Sequence, residues 1–333
     1  MGGRKLQGIL IVTVGIPGSG KTSWVKNYIE ENKDKNIEVI SSDEIRKELL
    51  NDIEDQSKNK EVFEIMRKRT KESLSKGYVT IYEATNISSK RRRALLKEMK
   101  KYYSKAICLF KYKNLTNCIL DNEARDREVP NEVVERMYKN IEIPHKCEGF
   151  DEVIIDYDDR MKLYIDNRRK FGLGMDKERF IECNDYKEYI DLLIELGLSN
   201  CIEMPQDSKW HNLSLSKHMY FCYKKIKEVG KLDENLLIAS MLHDISKPIA
   251  KTEDEEGRHC HYYNHENMSA YDVIDVLIKY TKLCDRDIMD ISWLINNHMI
   301  FKNGYSSEKL VRKIGYLNYA RLLALHNADN SAK

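Results

Sequence analysis

Two stretches of this 333-residue chain carry side chains whose types and spacing suit phosphate chemistry. The first is GIPGSGKT, Gly15 to Thr22. Glycines at 15, 18 and 20 let successive backbone N–H groups turn toward an anion, and a helix beginning just after them adds positive potential. In the spacing GxxxxGK[ST], Lys21 reaches the β- and γ-phosphates of a nucleoside triphosphate and the Thr22 hydroxyl is a ligand of Mg²⁺. Ser19 and Ser23 complete the expected nucleotide cradle. The second stretch is LLIASMLHDISKP, residues 236–248. Here an apolar helix face ends in adjacent His243 and Asp244, and burying such a pair is costly unless something neutralises it.

A bound cation is the expected partner. Further imidazoles and carboxylates occur at His218, His265, His298 and Asp329, each on a different predicted helix or at its edge. Ligands of this kind gathered from several helices suit divalent transition metals such as Mn²⁺, Ni²⁺, Co²⁺ or Fe²⁺ more than a thiolate-rich zinc site. Eight of the nine histidines lie beyond residue 210, which places this chemistry in the C-terminal part. His211 reads either as an accessory phosphate contact or as a loop histidine. His259, His261 and His326 read as surface residues or as support for the ligands.

The phosphate loop needs an acceptor site and a lid. ISSDEIRKEL follows a predicted strand, and an Asp at a strand's C-terminal end lies where open α/β sheets bind ligands. Asp43 is therefore a candidate general base for an attacking hydroxyl, or else a helix N-cap. Arg46, one turn on, is suited to an acceptor phosphate. In EARDREVPNEVVERM, Arg125 and Arg127 precede a proline-led helix start. They read as lid arginines over the transferring phosphate, or as a solvated charge cluster.

These residues must be positioned by two kinds of element. GILIVTVGI is a continuous apolar run of the sort found in a central parallel strand. Strand and helix patterns then alternate through IEVISSDEIRKELL, YVTIYEATNISSKRRRALLKEMKKY, AICLFKY and FDEVIIDYD, which predicts a parallel sheet flanked by helices. After about residue 160 the strand signals stop, and helices are predicted over 213–229, 233–246, 265–281, 285–297 and 306–333. The expected organisation is an α/β domain over 1–159, a helical linker over 160–205 and an all-α domain over 206–333.

Composition sets limits. Hydrophobic residues make up 41% of the chain, as in ordinary globular domains. No run approaches the ~20 apolar residues of a membrane span. The basic, apolar N-terminus imitates a signal peptide but leads into the phosphate loop, so it reads as a buried first strand. Eight scattered cysteines without a CxxC pair suit reduced thiols and a cytoplasmic protein. The net charge of +2 is uneven: residues 1–150 hold 30 Lys+Arg against 23 Asp+Glu, and the remainder 26 against 31. A basic first half suits a polyanionic partner, although solvated helix faces account for it too.

The motifs GIPGSGKTS, SSDEIRKEL, YEATNISSKRR and ARDREVP over about residues 8–158 resemble the phage-type polynucleotide 5′-kinases. The resemblance implies Asp43 as general base, Arg46 on the acceptor, and Arg125 and Arg127 as lid arginines. Family members often carry Asp in the strand before TN, where this chain has Glu83. Over about 206–333, MLHDISKP and GRHCHYYNHENMSA resemble the HD phosphohydrolases. That resemblance implies His218, His243, Asp244 and Asp329 as a first metal site. It adds His265 and His298 as a second site or as phosphate-facing groups, and Lys247 on the scissile phosphate. Ser246 stands where the family usually has glycine, and Lys333 where relatives often have arginine.

One half thus adds phosphate and the other removes it. The combination suits a broken nucleic-acid strand, where sealing by a downstream ligase needs a 5′-phosphate and a free 3′-OH. The leading expectation is an end-healing enzyme using ATP (or another NTP) and Mg²⁺ in one half and a transition metal in the other. RNA is favoured over DNA, because a 2′,3′-cyclic phosphate requires a 2′-OH. Two other classes remain open: a nucleoside or metabolite kinase fused to an HD nucleotidase, and a non-catalytic NTP-sensing module with a degenerate HD domain.

Overall fold

The computed structural model describes residues 7–125, 128–207, 212–230, 233–254 and 260–332, and the elements and contacts below are those among these residues. The chain divides into two compact units. One is Met1–Met137 with Pro144–Asp158, and the other is Tyr138–Ile143 with Asp159–Lys333.

The first unit alternates strand and helix. Its elements are β1 (Gly8–Val14), α1 (Lys21–Glu31), β2 (Ile37–Ser41), α2 (Ser42–Leu50), α3 (Asn59–Ser75), β3 (Val79–Glu83), α4 (Ser89–Met99), β4 (Tyr103–Tyr112), α5 (Leu115–Glu123), the start of α6 (Asn131–Lys139) and β5 (Glu152–Tyr157). The strands form a parallel sheet in the order β2-β3-β1-β4-β5. A strand covered on both faces needs apolar side chains at every position rather than at alternate ones. β1 shows this, with Leu10, Val12 and Val14 buried on one face and Ile11 on the other. Ile11 packs with Val25 of α1, Val79 and Ile81 of β3, and Leu109 of β4. The C-terminal ends of β1, β2 and β3 therefore emerge side by side, with the phosphate motif after β1, Asp43 in the first turn of α2 after β2, and Glu83 as the last residue of β3.

The second unit is helical: α7 (Asp159–Phe171), α8 (Glu178–Ile181), α9 (Tyr186–Glu195), α10 (Leu215–Glu228), α11 (Glu234–Leu242), α12 (Lys247–Ala250), α13 (His265–Tyr280), α14 (Asp285–Asn296), α15 (Ser307–Ile314) and α16 (Tyr316–Ser331). The segment expected as a linker is folded into this unit from Asp159 onward.

Three local expectations differ from the structure. The helix expected over 233–246 stops at Leu242, and residues 243–246 form a turn before α12, whose Pro248 suits a helix's first turn. The helix expected over 306–333 is two helices. Gly315 breaks it at φ 83° and ψ 155°, a backbone conformation closed to other residues. The region expected to be all-α also holds a small antiparallel hairpin, β6 (Thr252–Glu253) with β7 (Cys260–His261). None of the eight cysteines is in a disulfide. No helix among the described residues is long and apolar enough to cross a membrane.

Candidate functional sites

The phosphate loop joins β1 to α1. Gly18 has φ +81°, and a Cβ there would lie 2.0 Å from the Cys118 carbonyl oxygen, so only glycine lets the loop pass this close to α5. Gly20 caps α1 with φ 91° and no side chain closes that end. The first-turn N–H groups are thereby left as donors for an anion. Ser19 is buried within the loop and Ser23 is exposed on the first turn of α1.

Lys21 Nζ donates to the Gly15 and Ile16 carbonyl oxygens, both at 2.9 Å, which folds the side chain back over the loop. Burial, helped by the nearby Arg125 guanidinium, lowers its pKa to about 8 against the opposing pull of Cys118, Glu83 and Asp43. Asp43 and Arg125 are thus close enough to act on Lys21 electrostatically. Thr22 Oγ1 donates to Glu83 Oε1 at 2.7 Å, which joins the Mg²⁺-type hydroxyl of the loop to the carboxylate ending β3. Glu83 stands where the family often has Asp, and its longer side chain still reaches Thr22.

Asp43 is not the cap of α2, because Ser41 holds that position. Its half-exposed carboxylate accepts from Arg46 Nη1 at 2.9 Å, and Arg46 Nη2 donates to Asn59 Oδ1 at 3.0 Å. Arg46 is buried, so the acceptor residues expected from sequence form one directly bonded pair. Arg125 is exposed just after α5. Arg127 lies outside the described residues, as do His211, His259 and Lys333.

In the second unit, six expected ligands converge from five places on the chain. His218 comes from α10, His243 and Asp244 from the turn after α11, His265 from the start of α13, His298 from just after α14 and Asp329 from α16. All six are buried. Two donor groups result, one of His218, His243 and Asp244 and the other of Asp244, His265 and His298. Asp244 belongs to both. Its Oδ2 lies 3.4 Å from His218 Nε2 and 3.3 Å from His243 Nε2, and its Oδ1 lies 3.2 Å from His265 Nε2 and 3.7 Å from His298 Nε2. Asp329 Oδ1 joins the first group at 3.0 Å from His218 Nε2.

The tautomers follow from the backbone. His218 Nδ1 meets the Ala332 carbonyl at 2.8 Å, His243 Nδ1 that of Ser240 at 2.9 Å, His265 Nδ1 that of Tyr262 at 2.6 Å and His298 Nδ1 that of Ile295 at 2.7 Å. A carbonyl oxygen only accepts, so each Nδ1 carries a proton, and a ring with no second proton turns its Nε2 lone pair inward. Lone pairs and carboxylate oxygens then face one another across about 3 Å, an arrangement that repels unless a positive charge sits among them. Asp244 Oδ1 is buried without a hydrogen bond even though His265 Nε2 is beside it, as expected when both present lone pairs.

The donor set therefore fits a divalent cation. Without one, a proton serves: burial lowers the His243 pKa, but Asp244 and Asp329 outweigh it and push it up to about 10. His298 goes the other way, lowered to about 3 by burial and by the charge on His243, and so stays neutral. Burial would raise the Asp244 carboxyl, but His243 and Lys247 hold it well below its ordinary range.

Lys247 Nζ lies 2.7 Å from Asp244 Oδ2 and donates to Gln206 Oε1 at 2.7 Å, over the Tyr262 ring. Tyr262 also donates its hydroxyl to the Gln206 carbonyl. Gln206 and Tyr262 were not legible from sequence, since neither type suggests phosphate chemistry and both sit in irregular segments. His261 is exposed and stacks on Tyr263, and His326 on α16 pairs with Asn330; neither is part of the ligand groups.

Comparison with known proteins agrees with this division. Residues 10–144 match the family described as AAA domain, and residues 215–329 match the family described as HD domain. The heterogeneous nuclear ribonucleoprotein U-like protein 2 of Homo sapiens is 24% identical over 162 residues, which is 43% of this chain and 21% of that protein. The L-seryl-tRNA(Sec) kinase of Methanococcus maripaludis is 21% identical over 201 residues, 60% of this chain and 70% of that protein. The chain thus spans about a fifth of the human relative, at 21%, and 70% of the archaeal one. Among solved structures, a chain of the Pnkp1/Rnl/Hen1 RNA repair complex gives a TM-score of 0.36 at 15% identity, covering 41% of this chain and 44% of that one. A gluconokinase from Sinorhizobium meliloti 1021 gives 0.32 at 17% identity, covering 46% of this chain and 84% of that one. With a phosphate loop in the first unit and a histidine–aspartate cluster in the second, the chain carries a P-loop domain of the AAA kind followed by an HD domain.

Proposed function

We propose that the protein heals broken RNA ends, phosphorylating a 5′-OH with its P-loop domain and removing a 3′-phosphate or 2′,3′-cyclic phosphate with its HD domain. The two domains support an enzyme with a phosphotransfer and a hydrolytic role. The observation that carries the finer reading is the Asp244-centred double donor group, present in one chain with a complete phosphate loop. Opposite phosphate chemistries in one polypeptide have an evident common substrate in a cleaved strand, where each end carries the wrong group for sealing. The archaeal relative, by its name a kinase acting on a seryl group carried by tRNA, supports phosphoryl transfer to an RNA-borne acceptor.

In the kinase step, Lys21 and the α1 N-terminus hold the nucleotide phosphates. Asp43 takes the proton as the 5′-oxygen attacks the γ-phosphorus, and the bond to the nucleoside diphosphate breaks. Arg46 keeps Asp43 in place and neighbours the acceptor, while Arg125, with Arg127, stabilises the charge on the transferring phosphoryl group.

In the HD domain, a divalent cation supplies Lewis acidity toward phosphoryl oxygens and water activation. His218, His243, Asp244 and Asp329 would hold one such ion, and His265 and His298 with Asp244 a second. Lys247 faces the same carboxylate and is placed to take a phosphoryl oxygen. The protein is further read as cytoplasmic, working upstream of a ligase.

The deciding experiment incubates the protein with an RNA oligonucleotide bearing 5′-OH and 2′,3′-cyclic phosphate ends, labelled so that both can be followed. ATP with Mg²⁺, and Mn²⁺ or Ni²⁺, are supplied. The expected product has a 5′-phosphate and a 3′-OH. Modification of free nucleosides, with the oligonucleotide untouched, would replace this reading by a small-molecule kinase and nucleotidase. No turnover of either end, with nucleotide still bound, would replace it by an NTP-sensing module.

A further inference from the structure

Ser246 occupies the position between Asp244 and Lys247 where HD sequences usually place glycine, and it is fully buried. All its polar groups are engaged. Its carbonyl accepts from Ile249 and Ala250 N–H at 3.1 and 2.9 Å, its own N–H donates to Ser269 Oγ at 3.1 Å, and its hydroxyl donates to Asp272 Oδ2 at 2.6 Å. Ser269 and Asp272 stand four and seven residues after His265 on α13, so the ligand and both tether points share one helix face. The turn carrying Asp244 and Lys247 is thus pinned to the helix whose first residue is His265.

The same Asp272 oxygen accepts a second hydroxyl, Tyr138 Oη, at 2.6 Å. Burial pushes the Asp272 carboxyl up to about 6, and the bonds from Ser246 and Tyr138 work against that rise. Tyr138 is the penultimate residue of α6 and opens the short segment Tyr138–Ile143 that belongs to the second unit. That segment is itself tied down. Asn267 Nδ2 donates to the Lys139 carbonyl at 3.1 Å, Asn296 Nδ2 to Asn267 Oδ1 at 2.8 Å, and Ile143 N–H to Asn296 Oδ1 at 3.0 Å. Asn267 is on α13, and Asn296 ends α14, two residues before His298.

We propose that Tyr138, Asp272 and Ser246 form a positioning chain that holds the Asp244–Lys247 turn in register with His265. The HD centre would then draw part of its support from residues 138–143, which lie outside the segment matching the HD family and within the one matching the AAA domain. The proposal rests on the reading that the Asp244 cluster holds a divalent cation, and it concerns positioning only. A glycine at 246 keeps the N–H bond to Ser269 and loses the bond to Asp272. The turn is then tied to α13 through Ser246 by one bond instead of two, and Asp272 keeps a single hydroxyl donor of the two. Ligand spacing is sensitive to such losses, because partners behind the ligands typically contribute roughly 10–100-fold in metal affinity or activity.

The test uses the full-length protein as wild type, Ser246→Gly, Tyr138→Phe and the double variant. Mn²⁺ dissociation constants, melting temperatures, 5′-kinase activity and hydrolysis of p-nitrophenyl phosphate are measured. Both single variants should bind Mn²⁺ at least several-fold more weakly while the kinase is unchanged. The double variant should be no weaker than Ser246→Gly, because Tyr138 acts through the carboxylate that Ser246 reads. Mn²⁺ affinities within twofold of wild type, with melting temperatures falling additively, would reduce the chain to a packing role and overturn the proposal. A wild type that binds Mn²⁺ yet hydrolyses no phosphate ester sinks the phosphohydrolase reading and leaves this one standing. A wild type that binds no divalent cation sinks both.

Discussion

The Nε2 atoms of His218 and His243 lie 3.2 Å apart, and the far nitrogen of each ring is held by a backbone carbonyl. Two buried imidazoles pinned in this way have no lower-energy use for their inner lone pairs than to share a proton or bind a cation. That choice couples the HD centre to metal supply.

Replacing His243 or Asp244 by Ala should therefore abolish 3′-phosphate release and lower Mn²⁺ content, with 5′-phosphorylation intact. Metal analysis of the purified variants, beside a chelated and dialysed wild type, checks this. If hydrolysis survives full removal of metal, the cluster is not a catalytic metal centre. If the kinase falls in step with hydrolysis in both variants, the cluster is structural.

Lys21 gives the kinase its pH dependence. Its pKa in the free protein is lowered to about 8, and only the protonated form clamps phosphate. The kcat/KM for ATP should hold steady up to about pH 8 and fall above it, whereas kcat, which reports the nucleotide-bound enzyme, should stay level to higher pH because the phosphates stabilise the charged amine. Lys21→Ala should lose 5′-phosphorylation altogether and keep Mn²⁺ binding. A kcat/KM profile flat to pH 10 would show that Lys21 stays charged in the free protein.

Asp43→Asn should lower the phosphorylation rate by roughly 10²–10⁴-fold, the usual worth of a general base, with the ATP KM unchanged. Arg46→Gln should raise the acceptor KM. Steady-state kinetics with a 5′-OH oligonucleotide separates the two effects. A near-normal Asp43→Asn rate removes Asp43 as the base. A loss confined to kcat in Arg46→Gln means that its bond to Asp43 (2.9 Å) is its whole contribution.

The buried Arg92–Glu148 pair holds the loop behind the phosphate site. Arg92 Nε and Nη2 donate to the two Glu148 oxygens at 2.7 Å each, and Nη1 donates to the Asn86 carbonyl at 2.9 Å. Asn86 in turn donates to the Thr13 carbonyl at the end of β1 at 2.8 Å. Glu148→Ala leaves the buried guanidinium without its carboxylate and should cost about 3–5 kcal/mol, read as a shifted urea midpoint for the first unit. A shift below about 1 kcal/mol would mean that water reaches Arg92 in the variant.

Much of the first unit was legible because its chemistry is local. Gly15 to Thr22 are contiguous, and the loop's geometry depends on glycines that nothing distant can replace. The alternation of apolar strands with amphipathic helices likewise follows from nearest-neighbour patterning, and it announces a parallel sheet before any contact is known. The helical pattern over 306–333 did not mark a break, because a single glycine in such a pattern does not say whether the helix bends or stops; the Gly315 backbone at φ 83° and ψ 155° ends α15.

For the second unit, the sequence supplied the ligand types and their order from His218 to Asp329. The resemblance placed Asp244 in the first site and did not say that it also faces His265 and His298. Only the tertiary structure turns one of its oxygens to each donor group and sets His218 Nδ1 against the Ala332 carbonyl, because those distances depend on how the helices cross, whereas the Nδ1 atoms of His243, His265 and His298 meet carbonyls just three residues upstream. The same holds for Tyr138, which lies 134 residues from Asp272 in sequence and 2.6 Å from it in space. Periodicity and motif spacing encode which face of an element is buried and which side chains can do chemistry. Pairings between distant elements are settled by packing, where the cost of a buried group without a partner selects one arrangement among many.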